Sequence, residues 1–530
     1  MPRRLAALAA VAVLVSAAFA VLAPPAEASP ASDARAIRVG LVKAYNDGRL
    51  NAQQLRAHRR TTARALTAIG RLPASRAGTL ARVLWLVRLQ APRYNRARAT
   101  ALFGMLNQNR IYLTRRGLPP DGTDVMGTDG VVYRVGWGYG LQFHPLANVI
   151  KLNQLLIQEK RTKAIRLARA LQIRAVPRKQ GRVWEYYFPY GGGSPPWTSG
   201  MAQAIGAQAL ARTGRRLTRP DFFPAANRAF LAIPGKLTIR TGAGPWVKLY
   251  SFSSMMVLNA QLQAALSIAN YGVVLGRDRA IEMGARLEAS SRALLHRFDT
   301  GYWTNYQPGA EAPLTYHLYH VDLAMWLARR TEREFWEQAR SRFDRYSREP
   351  PVFRNGASGP TLYPWPADGW RDAATVRFWV SKISRVTVRA GGKTYSLGQR
   401  TKGWHAVVWR PGQMKPGTYR PLVIATDLAG NRGQRRIQPI QIAIDRTPPS
   451  VSAKVSGRRL TWSAVDHETP WIRLRVRLER AGRVRFLDLG RRPFSGHARL
   501  DIPRGNWQAR LVVYDSTGNR ARVELGVVPN

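Results

Sequence analysis

The chain of 530 residues contains no cysteine, and its acidic residues are few: 31 Asp and Glu stand against 83 Lys and Arg. The first absence excludes disulfide bridges, thiolate metal sites and thiol nucleophiles, so packing must hold the fold together. The second leaves a formal net charge of +52, a field that concentrates polyanions near the surface. Basic residues are spread along the whole chain instead of gathered into runs interleaved with aromatics, which argues against nucleic acid as a specific partner. Acidic polysaccharide and anionic cell-wall or surface polymer remain as partners. Arginine-rich codon usage would give the same charge with no partner at all.

Long apolar runs are also lacking, except at the start. Arg3 and Arg4 precede an apolar stretch from Leu5 to Leu22 that ends in Ala26-Glu27-Ala28. This is the pattern of a secretory leader, with cleavage expected after Ala28 and a secreted or cell-surface product. An uncleaved anchor helix is the alternative, because the run approaches the length of a membrane span.

Beyond residue 28 the hydrophobic period divides the chain. Leu41, Ala44 and Tyr45, then Leu80, Val83, Leu84 and Val87, recur at helical spacing and predict a helical region over 29–130. A glycine- and aromatic-rich stretch from Asp129 to Gly140 follows, and helical periodicity returns from Leu146. Long amphipathic segments near 199–213, 251–270, 276–297 and 317–345 give a second helical region over 131–349. Paired antiparallel helices with aromatic, glycine-bearing loops suit an all-α α/α barrel, toroid-like, with a cleft where the loops gather, although an irregular bundle fits the same period.

Residues 350–373 are rich in proline, glycine and tryptophan and read as a linker. Past it the period becomes alternating, as in Val376-Arg377-Phe378-Trp379-Val380, which indicates strands. An internal repeat is visible: Val423 to Asn431 (VIATDLAGN) is echoed by Val512 to Asn519 (VVYDSTGN), each a strand running into an Asp…Gly-Asn turn. The expectation is two all-β immunoglobulin-like sandwiches, 374–446 and 447–530, joined at Pro448-Pro449.

Four segments carry a family resemblance. Ser199-Gly200-Met201-Ala202-Gln203 opens a helix; Tyr250 to Asn259 reads YSFSSMMVLN; Phe298-Asp299-Thr300-Gly301 is followed by Tyr306; and Tyr316-His317-Leu318-Tyr319-His320-Val321-Asp322 comes last. In this order and at these intervals they resemble the C-terminal catalytic domain of D-glucuronyl C5-epimerases. The second segment differs from the family pattern by one residue of spacing, and Asp322 stands where the family has asparagine. The N-terminal hundred residues and the two sandwiches lie outside the resemblance.

The resemblance implies an α/α barrel and a cofactor-free isomerase that inverts C5 of glucuronate units in a heparosan-like polymer, giving iduronate. It implies Tyr250, Tyr306 and Tyr316 as catalytic tyrosines. His317, His320, Gln203, Arg134 and Lys248 are candidate substrate-binding residues, the last two chosen for their nearness to the matched segments. The C5 proton lies α to a carboxylate, so its removal creates a dianion that needs cations or donors around it. A tyrosine can move that proton if arginines lower its pKa from about 10.

Each residue also has a plainer reading. Most of the 19 tyrosines in such a chain pack with the hydroxyl at the surface. His317 and His320 can simply orient their helix, and no H-E-x-x-H spacing supplies a zinc site. Three other functions fit the same sequence. A polysaccharide lyase shares the proton abstraction, and a non-catalytic surface protein would only bind glycan. A glycoside hydrolase would need two facing carboxylates, for which Glu185, Asp299 and Asp322 are available.

Overall fold

The structure is a computed structural model that describes residues 29–136, 138–357 and 359–529. The expected leader over 1–28 lies outside the described residues. The chain divides into two compact units, Met1–Ser347 and Arg348–Asn530. No described helix is long and apolar enough to cross a membrane.

The first unit is helical. It opens with α1 (Pro30–Asn46), α2 (Ala52–Ile69), α3 (Ala74–Leu89) and α4 (Arg96–Arg115), which pack on one another. Side-chain caps set their starts: the Ser29 hydroxyl accepts from the Ser32 amide, Asn51 and Gln54 form a reciprocal box, and Asn95 accepts from Arg98 N. A three-stranded antiparallel sheet follows, β1 (Asp124–Met126), β2 (Val132–Val135) and β3 (Leu141–Phe143), from the glycine-rich stretch.

Helical hairpins then alternate with short β-hairpins. Helices α5 (Pro145–Ile157) and α6 (Arg161–Arg174) lead to β4 (Val176–Arg178) and β5 (Gly181–Val183). Helices α7 (Gly200–Arg216) and α8 (Phe223–Leu231) lead to β6 (Thr238–Thr241) and β7 (Gly244–Val247). Helices α9 (Leu258–Leu275) and α10 (Asp278–Leu294) lead to β8 (Asn305–Gln307) and β9 (Ala310–Glu311), and α11 (Leu314–Thr331) and α12 (Glu334–Tyr346) close the unit.

Helices α5, α7, α9 and α11 pack side by side in that order, with α6, α8, α10 and α12 each paired to its predecessor. The arrangement is an arc of helical hairpins. Closure into the expected barrel is not seen among the described residues, since no extensive packing joins α11 back to α5. Burial explains the order: α7 and α9 are buried over most of their lengths, as an inner helix must be, whereas α10 and α12 bury one stripe.

The second unit is all β and holds two sandwiches. The first pairs a three-stranded sheet, β10 (Phe353–Asn355), β11 (Ala374–Val380) and β14 (Gly403–Trp409), with a four-stranded one. The latter runs in the order β13 (Lys393–Arg400), β12 (Ser384–Ala390), β16 (Leu422–Asp427), β17 (Arg432–Arg436). β15 (Gly417–Tyr419) and β18 (Ile440–Ile442) form a further pair. Alternate residues, among them Val376, Phe378, Val386, Val388, Val423 and Ala425, make its core.

The second sandwich repeats the plan. Strands β19 (Ser450–Ser456), β20 (Arg459–Val465) and β23 (Ser495–Arg499) face β22 (Arg483–Arg492), β21 (Ile472–Arg480), β24 (Trp507–Tyr514) and β25 (Arg520–Val528). Leu460, Trp462, Leu474, Val476, Leu511 and Val513 fill its core. Strand β10 and the isolated bridge from Leu362 to Ile442 tie the stretch read as a linker into the first sandwich.

Candidate active site

At one end of the helical arc, loops and element ends bring the three tyrosines together. Tyr250 lies in the loop before α9, Tyr306 in β8 and Tyr316 in the first turn of α11. The Tyr306 and Tyr316 rings meet edge to face at 4.9 Å between centroids. The Tyr250 hydroxyl lies 3.4 Å from that of Tyr190 and within bonding reach of Tyr306.

An aromatic wall continues the cluster. Trp197 stacks flat on Tyr186 at 3.9 Å and meets Tyr250 edge to face at 5.6 Å, while Phe252 stacks on Tyr250 at 5.5 Å. Antiparallel bonds between Tyr186 and Trp197 hold this wall, and the Trp197 indole donates to the Phe188 carbonyl at 2.8 Å. Such faces suit the apolar side of a sugar ring while their hydroxyls serve its polar edge.

Arg134, buried on β2, sits where its charge reaches both Tyr316 and His144. Its guanidinium donates two parallel bonds to the Asp124 carboxylate, at 2.7 and 2.8 Å, and so is fixed in place. His144 caps α5, its Nδ1 accepting from Ala147 N at 3.1 Å, and its ring stands edge to face on Tyr186. An accepting Nδ1 leaves the proton of the neutral ring on Nε2. Burial, then Arg134, holds the His144 pKa well below the ordinary value, which favours that neutral form.

The electrostatics differ from the expectation that arginines lower the tyrosine pKa values. Burial pushes Tyr316 up to about 12, with Tyr190 adding to the rise and Arg134 opposing it. Tyr306 and Tyr250 are pushed higher still, again chiefly by burial, with neighbouring tyrosines adding to it. The reason is that, among the described residues, Arg134 is the guanidinium whose charge reaches the cluster, and Asp124 already offsets it. The site therefore presents neutral phenols, weak acids whose O–H groups can donate hydrogen bonds, with Tyr316 the least unwilling to ionise.

The other candidates lie elsewhere. Gln203 is buried in α7; its amide donates to the carbonyls of Arg182 and Ala229 and its oxygen accepts from Trp184 N, which spends it on joining β5 and α8. Lys248 acts through its backbone, with its carbonyl accepting from Gly200 N at 2.9 Å and its amide donating to Leu237 O. His317 and His320 are fully buried and share the Thr304 hydroxyl, at 2.8 and 2.9 Å. His317 also stacks on Trp303 at 3.7 Å and bonds the Phe343 carbonyl. These histidines lock α11 to β8 and α12, and thereby aim Tyr316 and Tyr306.

Two of the carboxylates considered for hydrolysis, Glu185 and Asp299, are tied. Glu185 is buried and takes two bonds from Arg98 at 2.8 Å and one from Arg178; burial would raise its pKa, but these partners hold it below the ordinary value. Asp299 accepts from Tyr346 at 2.9 Å and from Arg342 at 3.2 Å. Reading the sequence missed Tyr190, Trp197, Phe252 and His144. The aromatic density of 184–197 was the available signal for the first two.

Comparison with known proteins finds a family match within the helical unit. Residues 178–345 match the family model described as D-glucuronyl C5-epimerase C-terminus, a span that holds Tyr250, Tyr306 and Tyr316. No curated protein sequence matches the chain. Among solved structures, the endo-beta-1,4-glucanase CMCax from Acetobacter xylinum is similar at 12% identity over 38% of this chain and 72% of that one, with a TM-score of 0.29. The fibronectin(III)-like modules of Clostridium thermocellum CbhA are similar at 14% identity over 34% and 94%, with a TM-score of 0.14. TM-scores of this size carry no argument for the present chain.

Proposed function

We propose that the helical unit is a uronate-polysaccharide C5-epimerase, converting glucuronate units to iduronate within a polymer. The observation that carries this reading is the convergence of Tyr250, Tyr306 and Tyr316 beside Arg134, the three tyrosines lying within the span that matches the epimerase family model. Arg134 holds the uronate carboxylate. Tyr316, whose hydroxyl is the most acidic of the three, takes the C5 proton as its phenolate. The electron pair left at C5 moves into the carboxylate, and the dianion is stabilised by Arg134 and by the phenol donors around it. Tyr306 returns a proton to the opposite face, and the Trp197 and Phe252 faces bear the flanking sugars.

The polymer, acidic polysaccharide, also suits the net charge of +52. Incubation with several polyuronates in deuterated water tests the proposal. Deuterium at C5 with appearance of iduronate is expected. An unsaturated, ultraviolet-absorbing product would make the enzyme a lyase, because the same carbanion would then have expelled its O4 substituent.

A further inference from the structure

We infer that the outer face of the four-stranded sheet in the second sandwich holds an acidic polysaccharide chain. The occupant is a uronate polymer, a choice that rests on the epimerase reading of the helical unit. Strands β22, β21, β24 and β25 turn alternate residues away from the core that Leu474, Val476, Leu511 and Val513 fill. The strand register sets these outward residues in rows across the sheet. One row reads Arg491, Arg473, Tyr514, Arg520, and the next Asp488, Arg475, Val512, Arg522. In the row after that, Arg477 and Arg510 stand side by side.

Carboxylates answer three of these arginines: Arg473 pairs with Asp488, Arg477 with Glu479 and Arg510 with Glu524. Among the described residues, Arg475, Arg491, Arg520 and Arg522 form no ion pair. Like charges also stand directly opposite one another, Arg473 with Arg491 and Arg477 with Arg510, which costs stability that an anion laid across them would restore. Rings hold two of the unpaired guanidiniums in place. Arg475 lies over Phe486 at 4.1 Å and Arg491 over Trp471 at 4.0 Å. A ring face fixes the plane of a guanidinium without cancelling its charge, and leaves the donor edge for a two-bond grip on a carboxylate.

The other outer face of the same sandwich supplies a control. There β19, β20 and β23 turn out Ser450, Ser452, Ser456, Thr461, Ser463 and Ser495, beside three cations, Lys454, Arg459 and Arg499. Codon usage alone would not sort arginine onto one sheet and serine onto the other. The form of the face selects the class of polyanion. Single-stranded nucleic acid stacks its bases on open aromatic faces, whereas the Phe486 and Trp471 rings already carry arginines. Same-face residues along a strand stand about 7 Å apart, so Arg473, Arg475 and Arg477 make a straight line of charge along β21. An extended chain with carboxylates at regular intervals matches that line.

The test measures the affinity of the full chain for polyglucuronate, with variants that lose equal charge from the two faces. Arg475→Gln, Arg491→Gln and Arg522→Gln combined are expected to weaken binding at least about tenfold. Lys454→Gln, Arg459→Gln and Arg499→Gln combined, on the other face, are expected to weaken it less than about threefold. Melting temperatures check that both triple variants fold. Arg520→Gln with Arg522→Gln, both exposed, repeats the comparison without disturbing either ring stack and is expected to weaken binding at least about threefold. Equal losses from the two faces, or undiminished binding when the arginines of this face are replaced, would overturn the assignment. Tighter binding of single-stranded DNA than of the polymer, lost in the same variants, would overturn the polysaccharide as occupant. Exchange at C5 is read on the same samples: polymer held through this face but never exchanged would overturn the epimerase and uphold the face.

Discussion

Tyr316 and Tyr306 carry the account at the scale of single residues. Replacing either by Phe removes one hydroxyl, and exchange at C5 is expected to fall about 100-fold or more with little change in melting temperature. Circular dichroism and thermal melting of the variants check that the loss is chemical. With Tyr316 pushed up to about 12, its phenolate is scarce near neutral pH, so the exchange rate is expected to climb with pH. Arg134→Gln is expected to move that climb to higher pH by withdrawing the charge that favours the phenolate. Stability has the opposite dependence. A folded pKa above the unfolded value of about 10 means that the unfolded chain releases its proton first, so the stability held below pH 10 is lost as the pH rises towards about 12. Urea unfolding of wild type and Tyr316→Phe across that window measures the difference, and the Phe variant is expected to fall less steeply.

Helix caps and buried pairs position these side chains at the scale of elements. Thr304→Val removes the hydroxyl that the Nδ1 atoms of His317 and His320 share, with a cost of about 1–3 kcal/mol for a buried ring nitrogen left unsatisfied. Because α11 and β8 meet there, activity is expected to fall together with the melting temperature, unlike the Phe variants. Glu185→Gln leaves Arg98 buried without its counter-charge and is expected to cost about 3–5 kcal/mol. A catalytic acid at Glu185 would instead lose turnover at unchanged stability, which denaturant titration distinguishes. Helices and strands were legible because burial follows their periods, as in Val386, Val388 and Ala390 along β12. The role of Gln203 was not. A glutamine in a matched segment looks the same whether it faces substrate or a neighbouring carbonyl, and only the fold brings Arg182 O and Ala229 O to it. The same holds for Arg134, whose pairing with Asp124 depends on the register of β1 with β2.

Two units make up the whole molecule, and all three site tyrosines fall before residue 348. A chain ending at Ser347 is therefore expected to keep exchange activity, measured against the full chain on the same polymer. The arc of hairpins was legible only as paired helices, since whether α11 packs back on α5 is decided by loop lengths and tertiary contacts that periodicity does not encode. The net charge of +52 bears on the substrate as a whole. Binding of an acidic glycan is expected to weaken steeply with salt, because exposed charges are screened over about 8 Å at physiological ionic strength. The most direct test of the central claim remains proton NMR of glucuronate polymers incubated with the protein in deuterated water. The account predicts loss of the C5 proton signal and growth of iduronate, both abolished in Tyr316→Phe. Retention of the C5 proton in every polyuronate, or full exchange in Tyr316→Phe and Tyr306→Phe, would contradict it.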